Sequence, residues 1–313
     1  MDKKKLSKAV KFLIKVAVTV LLIYLISRKM DLVQVKEIFL KSDPLYIFLA
    51  FLAYCMSQVF SSWRLLDFLK SIGMDIKYGY NFRLYLLGLF YNVFLPGGIG
   101  GDGFKIYILR KKYQLPTKRI FLALLLDRVS GLWAIGTLCV ALIILIPQVK
   151  IAFALPIAAL AIGTVIYYIV LRKFFPDYSK CFIPAHGKAV VVQSLQLLSV
   201  ICILLSQQFS GKFSPYLFSF LVSSLATVIP VSFFGGFGLR EYVMTHASEV
   251  FDMNQALAVF VTLTFLIVST IAALPGMYFV YKSQEFANPP SEEEAEKFEK
   301  EADSSIEERS PSL

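Results

Sequence analysis

Ionisable residues lie beside two glycine-rich stretches of this chain, and both stretches contain the pattern Gly-Gly-X-Gly. The first stretch, at 96–103, contains Asp102, and the second, at 230–241, ends in Arg240 and Glu241. Backbone N–H groups at a broken helix, at the positive end of its dipole, can hold an anionic group such as a lipid phosphate. Tight turns or close helix packing would use the same glycines. The candidate binding residues of the two stretches are Pro96, Gly97, Gly98, Gly100, Gly235, Gly236 and Gly238.

Two charged pairs follow these stretches. Asp102 and Lys105 are three positions apart, so they share a face if a helix resumes there. Asp102 is either the cap of that helix or a partner of Lys105, and Lys105 either pairs with it or meets a phosphate. In the second stretch, Arg240 is suited to bidentate phosphate contact, and Glu241 is placed to hold it. The alternative is an interfacial ion pair at the start of a helix.

Asp127 and Arg128 form a third candidate site. They follow seven apolar residues and precede eighteen largely apolar ones. Ionisable residues inside a membrane segment are costly and usually face a partner or water. Either the pair has a functional role in the membrane interior, or it lies near the interface with Arg128 extended toward water.

Other kinds of site have no support in the sequence. The P-loop pattern is absent, because no Gly-Lys-Ser/Thr follows either stretch, which argues against nucleotide binding. His186 and His246 cannot form a metal site on their own, and the four cysteines show no ligand spacing. We therefore predict no catalytic residue, cofactor or metal, and no nucleic-acid partner.

The composition places these residues in a membrane. Hydrophobic residues make up 57% of the chain and charged residues 17%, and the mean hydropathy of +0.65 lies outside the range of soluble proteins. The sequence predicts an all-α, polytopic helical membrane protein. Its seven or eight apolar segments lie at 9–27, 45–62, 82–95, 120–146, 151–171, 189–207, 215–234 and 256–281.

Two of these segments are predicted to re-enter the membrane rather than span it. Residues 84–95 supply twelve apolar positions, about 18 Å of helix against a hydrocarbon core of about 30 Å. If this segment returns to the side it entered, the basic residues after it stay cytoplasmic, as the positive-inside rule requires. They are Lys105, Arg110, Lys111, Lys112, Lys118 and Arg119. A second re-entrant element at 215–234 leaves about six spanning helices, with the glycine-rich stretches approaching the midplane from opposite faces as in inverted repeats.

Two regions of opposite charge divide the chain. Residues 285–313 contain ten acidic and three basic residues, a net charge of −7, so residues 1–284 carry +17. We expect a transmembrane domain at 1–284 and an acidic, disordered cytoplasmic tail at 285–313. The lysine-rich N-terminus indicates that both termini are cytoplasmic and that the first helix is retained.

Three motifs follow one another along the chain. They are Phe94-Leu95-Pro96-Gly97-Gly98-Ile99-Gly100-Gly101-Asp102, then Asp127-Arg128-Val129-Ser130-Gly131-Leu132, then Ile229-Pro230 through Gly235-Gly236-Phe237-Gly238-Leu239-Arg240-Glu241. The chain, up to about residue 282, resembles the lysylphosphatidylglycerol synthase transmembrane region family, also called the flippase-like domain family. The resemblance implies a helical domain with re-entrant elements that moves lipids between leaflets. It also implies a stand-alone member, without the soluble aminoacyl-transferase domain that follows in bifunctional members.

The leading hypothesis is a prokaryotic inner-membrane protein that translocates a polar or anionic lipid through a midplane cavity between the two glycine-rich stretches. One alternative is a membrane-embedded transferase acting on lipid-linked substrates, since other relatives are linked to lipid-linked sugar chemistry. Another is a non-catalytic partner of an envelope-synthesis complex. The expected partner is a membrane lipid with a phosphate-bearing head group, and envelope-lipid biosynthetic enzymes are candidate protein partners.

Overall fold

A computed structural model of the chain describes residues 37–94, 100–146, 152, 154–226 and 238–282. Within these ranges every regular element is helical, which confirms the predicted all-α class. The helices are α1 Pro44–Ser71, α2 Tyr78–Phe94, α3 Gly100–Tyr113, α4 Thr117–Ile143, α5 Ala154–Phe174, α6 Pro176–Ser179, α7 Phe182–Leu205, α8 Phe213–Ala226, α9 Leu239–Val250, α10 Gln255–Ala273 and α11 Pro275–Lys282.

Five helical stretches in the described part of the chain are long and apolar enough to cross a membrane. They are α1, α4, α5, α7 and the stretch Gln255–Phe279, which joins α10 to most of α11. The chain is therefore a polytopic helical membrane protein. The predicted first segment, 9–27, and the predicted tail, 285–313, lie outside the described residues.

Side-chain caps mark where two of these long helices begin. The Asp43 carboxylate accepts a hydrogen bond from Leu45 N at 2.9 Å, immediately before α1. The Asn254 side chain accepts one from Leu257 N, also at 2.9 Å, before α10. Each cap satisfies a backbone N–H that has no partner within its helix.

The helices form two repeats of four, α1–α4 and α7–α10, each with the order long, short, short, long. The starts of α1 and α7 and the starts of α4 and α10 are 138 residues apart, and the starts of α3 and α9 are 139 residues apart. Packing follows the same scheme, because α1 contacts α10 as α7 contacts α4, and α2 contacts α10 as α8 contacts α4. Helix α5 links the repeats and is largely exposed on its apolar surface.

The two first helices, α1 and α7, pack along each other in opposite directions. Asp43 N, before α1, donates to Ser206 O, after α7, at 3.0 Å. At the other end of the same interface, Lys188 Nζ contacts Asp67 Oδ2 at 2.5 Å. The repeats are therefore inverted with respect to each other at these helices.

In the first repeat, α2 and α3 form an antiparallel pair that turns back on itself. Helix α2 returns along α1, where Asn81 Nδ2 donates to Ser62 O at 2.7 Å. At the far end of α3, Tyr113 Oη donates to the carbonyl oxygen of Asp75, just before α2, at 3.3 Å. The pair, called hairpin one, thus begins and ends at one end of the bundle.

In the second repeat, α8 and α9 form a corresponding pair, called hairpin two. Near the start of α8, Tyr216 Oη accepts from Asn254 N, just after α9, at 3.0 Å. This end adjoins the end of α4, where Ser214 Oγ donates to Leu145 O at 3.0 Å. Hairpin one instead leads into the start of α4, so the hairpins enter from opposite ends of the bundle.

The buried apolar residues form two clusters. One contains residues of α1, α2, α3 and the first half of α4, around hairpin one. The other contains residues of α7, α8 and α10, with the N-terminal part of α1. Each hairpin is therefore held by its own core.

The basic connections predicted to be cytoplasmic lie together at the end where hairpin one begins. There Arg119, at the start of α4, contacts Asp177 of α6 at 2.6 Å, and Tyr178 Oη donates to Arg119 O at 2.7 Å. Two residues are buried instead. Lys105 is buried in α3, and His186 is buried within α7.

Candidate functional site

Hairpin one is held together by glycines at its closest approach. A Cβ atom on Gly101 of α3 would lie 1.9 Å from the carbonyl oxygen of Gly88 in α2, so only glycine permits this contact. Gly101 N donates to Asn92 Oδ1 at 2.9 Å, which satisfies a backbone donor in the first turn of α3. The two helices thus approach each other beside the glycine-rich stretch.

Lys105 crosses the surface of α2 at the second of these glycines. A Cβ atom on Gly88 would lie 2.2 Å from Lys105 Cε, so the missing side chain leaves room for the lysine stem. The ammonium lies 4.8 Å from the centre of the Tyr85 ring and 3.1 Å from Asp102 Oδ1. Three contacts therefore fix this buried cation.

Asp102 is shared between two cations. Its Oδ1 accepts from Lys105, and its Oδ2 accepts from Arg128 of α4 at 2.5 Å. Side-chain exposure rises from 6% for Lys105 through 18% for Asp102 to 39% for Arg128. The three groups, called the hairpin-one cluster, carry a net charge of +1, and Arg128 is their most accessible member.

The neighbouring Asp127 has a different partner. Arg64 Nε donates to Asp127 Oδ1 at 2.7 Å, and Arg64 Nη2 donates to Oδ2 at 3.2 Å, a bidentate pair joining α1 to α4. Both side chains are buried. The predicted Asp127-Arg128 pair is thus divided between an interhelical ion pair and the hairpin-one cluster.

A row of polar side chains on α1 extends from this region toward the second repeat. The row, called the α1 polar stripe, consists of Tyr54, Ser57, Gln58 and Ser61. Tyr85 Oη of hairpin one lies within hydrogen-bonding distance of both Gln58 Oε1, at 3.1 Å, and Ser61 Oγ, at 2.8 Å. Gln58 Nε2 donates to Ser57 Oγ at 3.0 Å. Buried polar groups in a membrane are costly, so their alignment between the hairpins suggests a role beyond packing.

Arg240 lies at the other end of this stripe, in the first turn of α9. Its guanidinium carbon is 5.1 Å from the ring centres of both Phe220 and Phe265, a cation–π arrangement. The Phe265 ring in turn meets the edge of Tyr54 at 5.3 Å. Arg240 Nε is buried, with no hydrogen-bond partner among the described residues.

Glu241, which we expect to hold Arg240, contacts the backbone at the start of α9. Its carboxylate accepts a hydrogen bond from Gly238 N at 2.7 Å and caps the start of α9. Gly238 itself has φ +87°, a backbone conformation that residues with a side chain rarely adopt, which explains the glycine at this position. The Glu241 carboxylate therefore binds the backbone at the start of its own helix.

The structure brings together only part of the predicted site. Asp102, Lys105 and Arg128 meet, while Arg240 lies at the far end of the α1 polar stripe; Gly100 begins α3. Five predicted residues lie outside the described ranges: Pro96, Gly97, Gly98, Gly235 and Gly236. No role for the stripe or for Tyr85 is predicted from the sequence, although Tyr54, Gln58 and Ser61 recur at helical spacing inside an apolar segment.

Burial keeps two groups outside the spanning helices, the Cys181 thiol and the Tyr178 hydroxyl, in their protonated form. Burial raises the pKa of the Cys181 thiol to about 11, and the thiol donates to Tyr178 O at 3.2 Å. Burial also raises the pKa of Tyr178 to about 12. Both groups are therefore protonated at neutral pH. The described residues contain no group of three or more His, Cys, Asp or Glu side chains suited to a metal ion.

The fold and the charged hairpins define a helical membrane domain built from two inverted repeats. The family described as the lysylphosphatidylglycerol synthase TM region matches residues 12–276, so the chain belongs to this family. It is also similar to the UPF0104 membrane protein MJ1595 of Methanocaldococcus jannaschii, with 29% identity over 130 residues. That match covers 41% of this chain and 38% of the relative.

Proposed function

We propose that this protein moves a lipid with a polar or anionic head group between the two leaflets of a prokaryotic cytoplasmic membrane. Hairpins one and two are re-entrant in this proposal, and the glycine-rich stretches between their helices line a polar cavity near the midplane. The head group crosses through this cavity while the acyl chains stay in the surrounding lipid.

The observation that carries the proposal is the alignment of polar groups between the hairpins. The hairpin-one cluster, the α1 polar stripe and Arg240 follow one another through the part of the bundle enclosed by apolar helices. Polar groups at that depth are tolerated where they are buried in protein or line a cavity. Inverted repeats with broken helices are the architecture in which substrate sites lie at the midplane.

The cations at the two ends of this row suit a phosphate. Guanidinium groups bind phosphate oxygens through several N–H donors, and Arg240 Nε has no partner among the described groups. Arg128 supplies a second guanidinium, partly exposed, on α4. A phosphate that leaves one cation can therefore be received by the other.

The charge distribution supports one orientation. The basic connections lie at the end where hairpin one begins, and the positive-inside rule assigns that end to the cytoplasm. Helix α11 packs against α2, with Gly276 against Leu86 O, so the chain reaches Lys282 on the side of hairpin one. The C-terminal residues are then cytoplasmic. No nucleotide motif is present in the sequence, so transport is either downhill or coupled to an ion gradient.

Transport of labelled lipid in liposomes tests the proposal. The purified chain is reconstituted with head-group-labelled fluorescent phospholipid, and an impermeant quencher is added outside. Wild-type protein should expose inner-leaflet lipid to the quencher, and Arg240→Ala should abolish this, because the receiving cation is gone. Lys41→Ala is the matched control, since it removes a positive charge that is exposed and, among the described residues, pairs with Glu37 at 3.6 Å.

The thermal midpoint of each variant is measured to establish that it folds. Transport by a folded Arg240→Ala variant at the wild-type rate would exclude the phosphate role of this residue. Wild-type liposomes in which no phospholipid moves, whatever its head group, would reject the proposed function itself.

A further inference from the structure

We propose that Asp102 is a resident counter-ion that an anionic head group displaces from Arg128, and that the hairpin-one cluster therefore selects head groups with one net negative charge over zwitterionic ones. This inference rests on the proposed function, because it concerns the same lipid site.

The two cations around Asp102 differ in their freedom to move. Lys105 is buried, lies against the surface left open by Gly88 and contacts the Tyr85 ring, so it has little room to leave Asp102. Arg128 is the most exposed of the three side chains, at 39%. A ligand approaching from the cavity therefore meets Arg128 and competes with Asp102 Oδ2 for its N–H donors.

The local charge favours an anion. Asp102, Lys105 and Arg128 sum to +1, while the neighbouring Arg64 and Asp127 neutralise each other. A head group whose only charge is its phosphodiester carries −1, which balances the +1 charge of the cluster. A zwitterionic head group brings an additional ammonium, and the nearest carboxylate, Asp102, is already bound to Lys105.

Arg240 provides the contrast within the same molecule. Aromatic rings, rather than a carboxylate, surround its guanidinium, and the adjacent Glu241 is bound to Gly238 N. An anion reaching Arg240 displaces no side-chain counter-ion among the described residues. The selection step is thus specific to hairpin one.

The test is competition between phosphatidylglycerol, with one negative charge, and phosphatidylethanolamine, which is zwitterionic, for the purified full chain. Bound lipid is counted by native mass spectrometry in wild type and in Asp102→Asn. Removing the carboxylate raises the cluster charge to +2 and removes the Asp102 contact of Arg128, so the ratio of bound phosphatidylglycerol to phosphatidylethanolamine should rise about tenfold.

The matched control is Asp177→Asn. Asp177 is likewise shared between an arginine and the lysine three positions later, because it contacts Arg119 at 2.6 Å and Lys180 at 3.4 Å. It lies at the basic end of the bundle, outside the lipid site, so the lipid ratio should stay at the wild-type value. A comparable rise in this control would show only a general charge effect and would overturn the inference.

The opposite result in Asp102→Asn is equally informative. If phosphatidylethanolamine binding falls while phosphatidylglycerol binding is unchanged, Asp102 contacts the ammonium of the lipid, and the counter-ion role is wrong. An unchanged ratio also overturns it. If Asp102→Asn does not fold, Arg128→Gln is measured in its place, with Arg119→Gln as its control. The preference for phosphatidylglycerol should be lost in Arg128→Gln and kept in Arg119→Gln. A preference that is kept in Arg128→Gln overturns the inference.

Failure of this inference and failure of the proposed function give different results. The lipid ratio is an equilibrium binding measurement, whereas the liposome assay measures movement between leaflets. If the protein moves lipid between leaflets in the liposome assay but the ratio of bound lipids is unchanged in Asp102→Asn, only the counter-ion role is rejected. A shifted ratio in a protein that moves no lipid rejects only transport.

Discussion

The two repeats share a backbone plan but place their charges differently. Position 102 in the first repeat corresponds to position 240 in the second, given the 138 residues that separate the two Gly-Gly-X-Gly patterns, so an aspartate corresponds to an arginine. Arg64 and Asp127 correspond in the same way to Cys202 and Phe265. Charged pairs join the helices of the first repeat, and aromatic and apolar contacts join those of the second.

This difference shows that the fold itself does not need the charges. Phe265 occupies the position of Asp127 and packs against Tyr54 of α1 and Phe220 of α8, and Phe265 and Cys202 both belong to the apolar cluster of the second repeat. Replacement of buried ion pairs by apolar residues is often neutral or stabilising. We therefore propose that the charges of the first repeat serve lipid binding rather than the fold.

The largest effect is expected from breaking the Arg64–Asp127 pair on one side only. Arg64→Ala leaves the Asp127 carboxylate buried without its bidentate partner, which should cost about 3–5 kcal/mol of unfolding free energy. The double variant Arg64→Met/Asp127→Leu makes this contact resemble that of the second repeat and should recover most of the loss. Thermal unfolding in detergent measures both. Equal destabilisation of the single and double variants would contradict the proposed equivalence of the repeats.

A smaller effect is expected at the glycine contact of hairpin one. Gly101→Ala would place a Cβ atom against the backbone oxygen of Gly88, so α2 and α3 must separate, at a cost of about 1–3 kcal/mol. Gly103→Ala is the matched control, because no atom lies within 4 Å of the added Cβ. It should be neutral or slightly stabilising, since alanine favours helix. Lipid transport should fall in the first variant only.

Much of the fold was accessible from the sequence because the membrane constrains it. The twelve apolar positions before Pro96 and the basic residues after the first glycine-rich stretch predicted that this segment turns back, and the Tyr113–Asp75 hydrogen bond joins the two ends of hairpin one accordingly. The repeated Gly-Gly-X-Gly pattern pointed to two related halves.

Helix ends were less accessible, because hydropathy does not distinguish a paired charge from a solvated one. The predicted segment 45–62 stopped before Arg64, yet α1 continues to Ser71, with Arg64 and Asp67 paired to residues of other helices. The segment predicted to begin at 189 begins at Phe182 for the same reason, since Lys188 pairs with Asp67.

The partners of the site residues could not be read from spacing either. Asp102 and Lys105 are neighbours on one helix, and their contact was predictable. Arg64 and Asp127 are 63 positions apart, and only the packing of α1 on α4 brings them together. The same applies to Arg240, whose aromatic surroundings come from α8 and α10.

The smallest effect is expected at the starts of α3 and α9, where a backbone N–H is bound by a different kind of side chain in each repeat. In the first, the backbone donor of Gly101 is bound by Asn92 of the preceding helix; in the second, that of Gly238 is bound by Glu241 of its own helix. Glu241→Ala should cost about 1 kcal/mol, typical of a lost cap, whereas Glu241→Gln retains an acceptor oxygen and should cost less.

The liposome assay tests whether the Glu241 carboxylate is also needed for lipid transport. Because the Glu241 carboxylate contacts backbone rather than Arg240, Glu241→Gln should transport lipid at close to the wild-type rate, unlike Arg240→Ala. A loss of transport in Glu241→Gln with an unchanged thermal midpoint would show that the negative charge itself is needed. Hairpin two would then resemble hairpin one in using a carboxylate beside its arginine, and the functional asymmetry of the two repeats would be smaller than their contacts indicate.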